Sequence, residues 1–141
     1  MAAADQPLEA IPFVVDSSAA QSQIDFDIEF FRHVLRRNQH NVDVLRRQVE
    51  LLARTGQYEE ALRLDFRLVQ LRPDDVIARY NLACTLSMVG DVEEALTVLD
   101  QALGLGYADL AHLETDPDLE SVRELDGYQM VLAKHGHIVE F

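Results

Sequence analysis

The strongest constraint on this chain is an internal repeat. Gly56-Gln57-Tyr58-Glu59-Glu60-Ala61-Leu62 returns as Gly90-Asp91-Val92-Glu93-Glu94-Ala95-Leu96, with five of seven positions identical at an offset of 34. The match runs without a gap from Leu52 and Leu86 to Leu71 and Leu105. A period of that length indicates stacked supersecondary units, none of which can bury its apolar face alone. Each unit reads as two helices around a glycine turn. Leu45, Val49 and Leu52 recur at helical spacing in the first helix, and Tyr58, Ala61, Leu62 and Leu68 in the second. Pro73 with Asp74-Asp75 ends the pair and restarts the next helix. The second unit repeats the pattern with Leu82, Ala83 and Leu86, then Ala95, Leu99 and Ala102.

At these residues the chain resembles the tetratricopeptide repeat family, whose 34-residue units place a small residue where their two helices cross. Ala61 and Ala95 match that crossing residue, Gly56 and Gly90 the turn, and Pro73 the end of a unit. Alanine there lets the two backbones approach. Two positions depart from the pattern. Leu68 replaces the usual Ala, which implies a wider helix spacing, and Tyr107 replaces the Pro expected after the second unit, which implies that the regular array stops there. Tyr80-Asn81-Leu82-Ala83-Cys84, Gly106, Asp116-Pro117-Asp118-Leu119 and Val122-Arg123 resemble a bacterial end-of-group version, in which a short acidic segment covers the last helix pair. Gly127 departs from the Pro common in that version. Asp116 can cap a helix there and Pro117 suits its first turn.

The expected fold is all-α: a right-handed superhelical stack of two full repeats, 42–75 and 76–107, with capping helices. An orphan helix over 25–38 precedes them, because a shift of 34 pairs Ile28 with Leu62 and Val34 with Leu68 but sets Asp27 at the crossing position. Closing helices fill 108–136, the last one near 126–134 with Tyr128, Val131 and Leu132 as its apolar face. The repeat domain is thus 25–136. Residues 1–24, rich in Ala, Ser and Gln and without helical periodicity, read as a flexible acidic tail, and 137–141 as a short C-terminal one.

Charge is unevenly spread. The chain carries 25 acids against 12 bases, a formal net charge of −13, which opposes nucleic-acid binding and an anionic membrane surface. Yet ten of the bases, all Arg, lie between Arg32 and Arg79. Two readings of that island are open: solvated helix faces with i,i+4 pairs, or an acceptor surface for acidic ligands, the chain's own acidic segments among them. No 18-residue apolar run occurs, and the single Cys84 fits a reducing, cytoplasmic setting.

Little points to catalysis. His135-Gly136-His137 offers two metal ligands without a Cys or acid at a recognised spacing, and Cys84 has no evident base. Asp116 and Asp118 flank Pro117 as capping residues. No phosphate-binding glycine loop is present. No catalytic residue, metal or cofactor is expected.

What remains is a surface. The family resemblance implies that the first helices of successive units line a concave groove for a partner's peptide segment, in an adaptor or scaffold. On the first such helix Asp43, Arg46, Glu50 and Arg54 share a face, and on the next Ile77, Tyr80, Asn81, Cys84 and Met88. The candidate partner-binding set is therefore Arg46, Glu50, Arg54, Ile77, Tyr80, Asn81, Cys84 and Met88, for an acidic-apolar partner. Neighbouring helices covering Ile77, Tyr80 and Met88 is the alternative. Arg46 and Asn81 fall where some family members grip a C-terminal carboxylate, but Glu50 replaces a key Asn there. A self-assembling homodimer is the second expectation, with the groove filled by Phe13, Val14 and Val15, flanked by Glu9 and Asp16, of its own or a neighbouring chain.

Overall fold

The computed structural model describes residues 17–137. Among them, eight α-helices follow one another: α1 (Ser17–Arg37), α2 (Val42–Arg54), α3 (Tyr58–Leu71), α4 (Val76–Met88), α5 (Val92–Gly104), α6 (Leu110–Thr115), α7 (Glu120–Arg123) and α8 (Gly127–Lys134), with a 3-10 turn over Pro117–Leu119. No strand occurs among the described residues. α2–α3 and α4–α5 are the two expected repeats.

The same devices recur at the 34-residue offset. Asn41 Oδ1 accepts from the Val44 amide at 3.2 Å and Asp75 Oδ1 from the Ala78 amide at 3.0 Å, so a side chain caps each first helix. Gly56 and Gly90 hold φ of 77° and 92°, in the left-handed region. There the Gln57 amide reaches back to Leu52 O at 2.8 Å, and the Asp91 amide to Leu86 O at 2.9 Å, closing the helix ends. Ala61 and Ala95 are completely buried, as a helix crossing requires.

α4 lies at the centre, packed against α3, α5 and the 3-10 turn. It buries residues on nearly every side, from Ala78 and Tyr80 to Leu86 and Ser87. The closing piece is tied down from below. Leu113, Leu119 and Val122 are fully buried, and Arg123 Nη1 donates to Leu113 O at 2.9 Å and Asp116 O at 2.7 Å. Tyr128 and Leu132 of α8 are buried and Val131 is half-buried.

One boundary is corrected. α1 begins at Ser17, so residues 17–24 are helical and not part of a tail. The stretch has few apolar residues to form a stripe. It is held by Ala and Gln, which favour helix, and by i,i+4 side-chain bonds from Gln21 to Asp25 (3.0 Å) and Gln23 to Asp27 (2.9 Å). Packing begins at Ile24 and Ile28. Residues 1–16, including the Phe13-Val14-Val15 run, and 138–141 lie outside the described residues.

Candidate functional site

Among the concave features of the described residues, two differ in the charge of their lining.

The first is a cleft of about 340 Å³ between α2 and α4, closed at one end by α6 and the 3-10 turn. Six of the eight expected binding residues line it: Glu50, Arg54, Tyr80, Asn81, Cys84 and Met88. The other two do not. Arg46 is drawn away into an ion pair with Asp75, the cap of α4. Ile77 is 56% exposed and outside the cleft lining. Val49, Ala53 and Tyr58 add apolar surface, and Asp65, Thr85, His112, Asp116 and Asp118 complete the wall.

Asp116 organises the closed end. It accepts from the Tyr80 hydroxyl at 2.7 Å and the Cys84 thiol at 3.6 Å through Oδ2, while Oδ1 caps the Asp118 amide at 3.0 Å. His112 Nε2 stands 3.3 Å from the same Oδ2. Tyr80 stacks on Tyr107, with ring centroids 4.2 Å apart and planes within 6°. Burial and the bond to Asp116 push the Tyr80 hydroxyl far up, and burial followed by the Asp116 charge does the same to the Cys84 thiol. Cys84 is therefore a protonated, buried thiol and a poor nucleophile. Burial, then Asp116, also raises Asp118.

Cys84 Sγ and carboxylate oxygens of Asp116 and Asp118 lie within 4.8 Å of one another, a donor set that could hold a metal ion. No sequence spacing announces it, since 32 residues separate Cys84 from Asp116 and the fold alone joins them. The bond from Tyr80 already occupies the central oxygen. His135, the other candidate ligand, turns its Nε2 to Asp100 Oδ1 at 2.6 Å.

Sequence spacing also passed over Asp65, on the cleft floor at 2% exposure. Its Oδ2 lies 2.6 Å from Thr85 Oγ1, which sits 3.0 Å from Asn81 O. Burial drives its carboxyl up to about 7 against the opposing pull of Thr85. The repeat does carry a signal for it: 34 residues on stands Leu99, fully buried.

The lining thus counts Glu50, Asp65, Asp116 and Asp118 against Arg54 and a histidine. Of the ten arginines between Arg32 and Arg79, only Arg54 lines this cleft.

The second feature is a cleft of about 370 Å³ between α1 and α3. Arg32, Arg36, Arg63 and Arg67 wall it above Leu35 and Leu64, with Glu60 as its one acid. Much of the arginine island gathers here.

No protein-family model matches the chain. It is 34% identical over 83 residues to a chloroplastic protein of Arabidopsis thaliana, covering 57% of this chain and 25% of that protein. It is also 34% identical over 86 residues to the peroxisomal targeting signal receptor of Candida glabrata, covering 61% of this chain and 15% of the receptor. The chain therefore spans a quarter or less of these curated relatives. Among solved structures, a MamA RS-1 ArsTM double mutant superposes with a TM-score of 0.65 at 20% identity, over 83% of this chain and 64% of that one.

Proposed function

We propose that this chain, a tetratricopeptide-type repeat protein, is a non-catalytic interaction module that holds a cationic peptide segment of a partner in the α2–α4 cleft. The observation that supports this reading is the lining itself: exposed Glu50 and half-buried Asp118, with the buried Asp65 and Asp116 behind them, against one arginine, beside the apolar surface of Val49, Tyr58 and Met88. A lysine or arginine of a bound segment finds charge-assisted acceptors there, and its neighbours find apolar contact. Asn81, whose side chain has no partner among the described residues, offers an amide for the bound backbone. The Candida glabrata relative is by name a signal receptor, which is consistent with recognition of a short segment. No helix among the described residues is long and apolar enough to cross a membrane.

The self-filling alternative loses its electrostatic support. Glu9 and Asp16, which flank Phe13-Val14-Val15, carry the same sign as the cleft.

The test is a fluorescence-anisotropy titration with a labelled 12-residue peptide of alternating Lys and Leu, against the same peptide with Gln for Lys. The Lys peptide should bind at least tenfold more tightly. Glu50→Lys, at an exposed position, should cost about tenfold, or 1.4 kcal/mol. Equal binding of the two peptides, or a Glu50→Lys protein that binds as before, would overturn the reading.

A further inference from the structure

We infer that the cleft between α1 and α3 is a second docking site, for an acidic peptide segment that sets a carboxylate beside an apolar side chain. This goes beyond the cleft of the proposed function and involves different residues.

The argument begins with unbalanced charge. Arg32 and Arg36 stand one turn apart on α1, and Arg63 and Arg67 one turn apart on α3. Like charges at that spacing repel, and here two such pairs face a common cleft. The chain has twice as many acids as bases, yet it places a third of its bases around this one opening.

Some of the charge is answered internally. Arg32 makes a forked contact with Glu60, Nε at 3.1 Å and Nη2 at 3.0 Å, and reaches Glu29 at 2.8 Å. Arg36 has only a distant approach to Glu29, at 3.8 Å. Arg63 and Arg67 meet no hydrogen-bond or ion-pair partner among the described residues. Arg67 is also half-buried. Neither guanidinium has an internal acceptor among the described residues, so an incoming carboxylate can take paired N–H bonds from them.

The other half of the ligand follows from the floor. Leu35 and Leu64 reach the floor only by narrow edges, 6% and 9% exposed, between the aliphatic stems of the arginines, so an anion alone leaves this apolar strip uncovered. A segment alternating Glu or Asp with Leu or Phe satisfies both. The acidic surroundings do not forbid it, because charges more than about 8 Å away are largely screened at physiological salt. They do count against a long nucleic acid, whose phosphates extend past the cleft onto acidic surface.

The test uses the full chain and a labelled 12-residue peptide of alternating Glu and Leu, with a Gln-for-Glu peptide as control. The Glu peptide should bind at least tenfold more tightly than its control. Arg63→Gln with Arg67→Gln should remove at least tenfold of that affinity at an unchanged melting temperature, while Arg72→Gln, outside the cleft, should bind as before. Glu50→Lys should leave this affinity intact, which separates failure here from failure of the α2–α4 reading. Equal binding of the Glu and Gln peptides overturns the site, as does a double variant that binds like the parent. Displacement of the peptide by an equal concentration of 20-nucleotide single-stranded DNA overturns the peptide assignment. Tighter binding after deletion of residues 1–16, which carry three acids and no base, overturns it in favour of the chain's own segment.

Discussion

Asp65 is the residue whose chemistry departs most from its surroundings. It stands on a buried helix face where the second repeat has Leu99, and burial raises its carboxyl to about 7. The folded state therefore holds the proton more tightly than the unfolded chain, in which an Asp titrates near 3.9. The stabilising contribution is full below about pH 4 and is lost as pH rises through 7. Asp65→Asn keeps the shape and an acceptor for Thr85 but cannot ionise. It should melt close to the parent protein at pH 4 and above it at pH 8.5, by roughly 1–3 kcal/mol of stability. Paired thermal melts at the two pH values decide it, and a variant no more stable than the parent at pH 8.5 refutes the argument. Comparing the two repeats position by position makes Asp65 visible in the sequence, as a polar residue in an apolar register. That it lines one cleft with Asp116 and Asp118 is not visible, because this depends on where the chain turns after α5.

At the scale of elements, what was legible follows from what repeats. Helices α2 to α5 announce themselves through apolar periodicity, caps and glycine turns that recur at the same offset. The start of α1 does not, since Ser18 to Gln23 are helical through propensity and local side-chain bonds and bury nothing. The closing turn was readable as a cap from Asp116-Pro117, but not as the wall of a cleft. It takes that role through Asp116, which binds α4 by way of Tyr80 and Cys84. Asp116→Ala would remove the carboxylate that accepts from the buried Tyr80 hydroxyl, at roughly 1–3 kcal/mol, and would remove a cap worth about 1 more. Urea unfolding should show a total loss of about 2–4 kcal/mol, with Asp116→Asn recovering a substantial part. A loss below about 0.5 kcal/mol would mean that α4 and the closing turn are held by apolar packing alone.

As a whole molecule, the chain is a short stack in which each helix touches chiefly its sequence neighbours. Long arrays of this kind unfold from their ends, because each interface stabilises only the units that share it. Here the array is too short for independent ends. α4 belongs to the interfaces with α3, α5 and the 3-10 turn, so loss of the closing piece strips one face of the central helix. The closing piece and the repeats should therefore unfold together. Leu119→Ala tests this, since Leu119 is fully buried in the closing turn and its truncation costs roughly 2–5 kcal/mol. The chain has no Trp, and three of its four tyrosines, Tyr80, Tyr107 and Tyr128, are buried in or against the closing half. Tyrosine fluorescence thus reports that half, while far-UV circular dichroism reports every helix. In one cooperative unit both probes shift to the same lower urea midpoint with an unchanged slope. If the tyrosine signal moves and the helical signal stays, the cap is a separate unit. The acidic cleft that it closes would then open without unfolding the repeats.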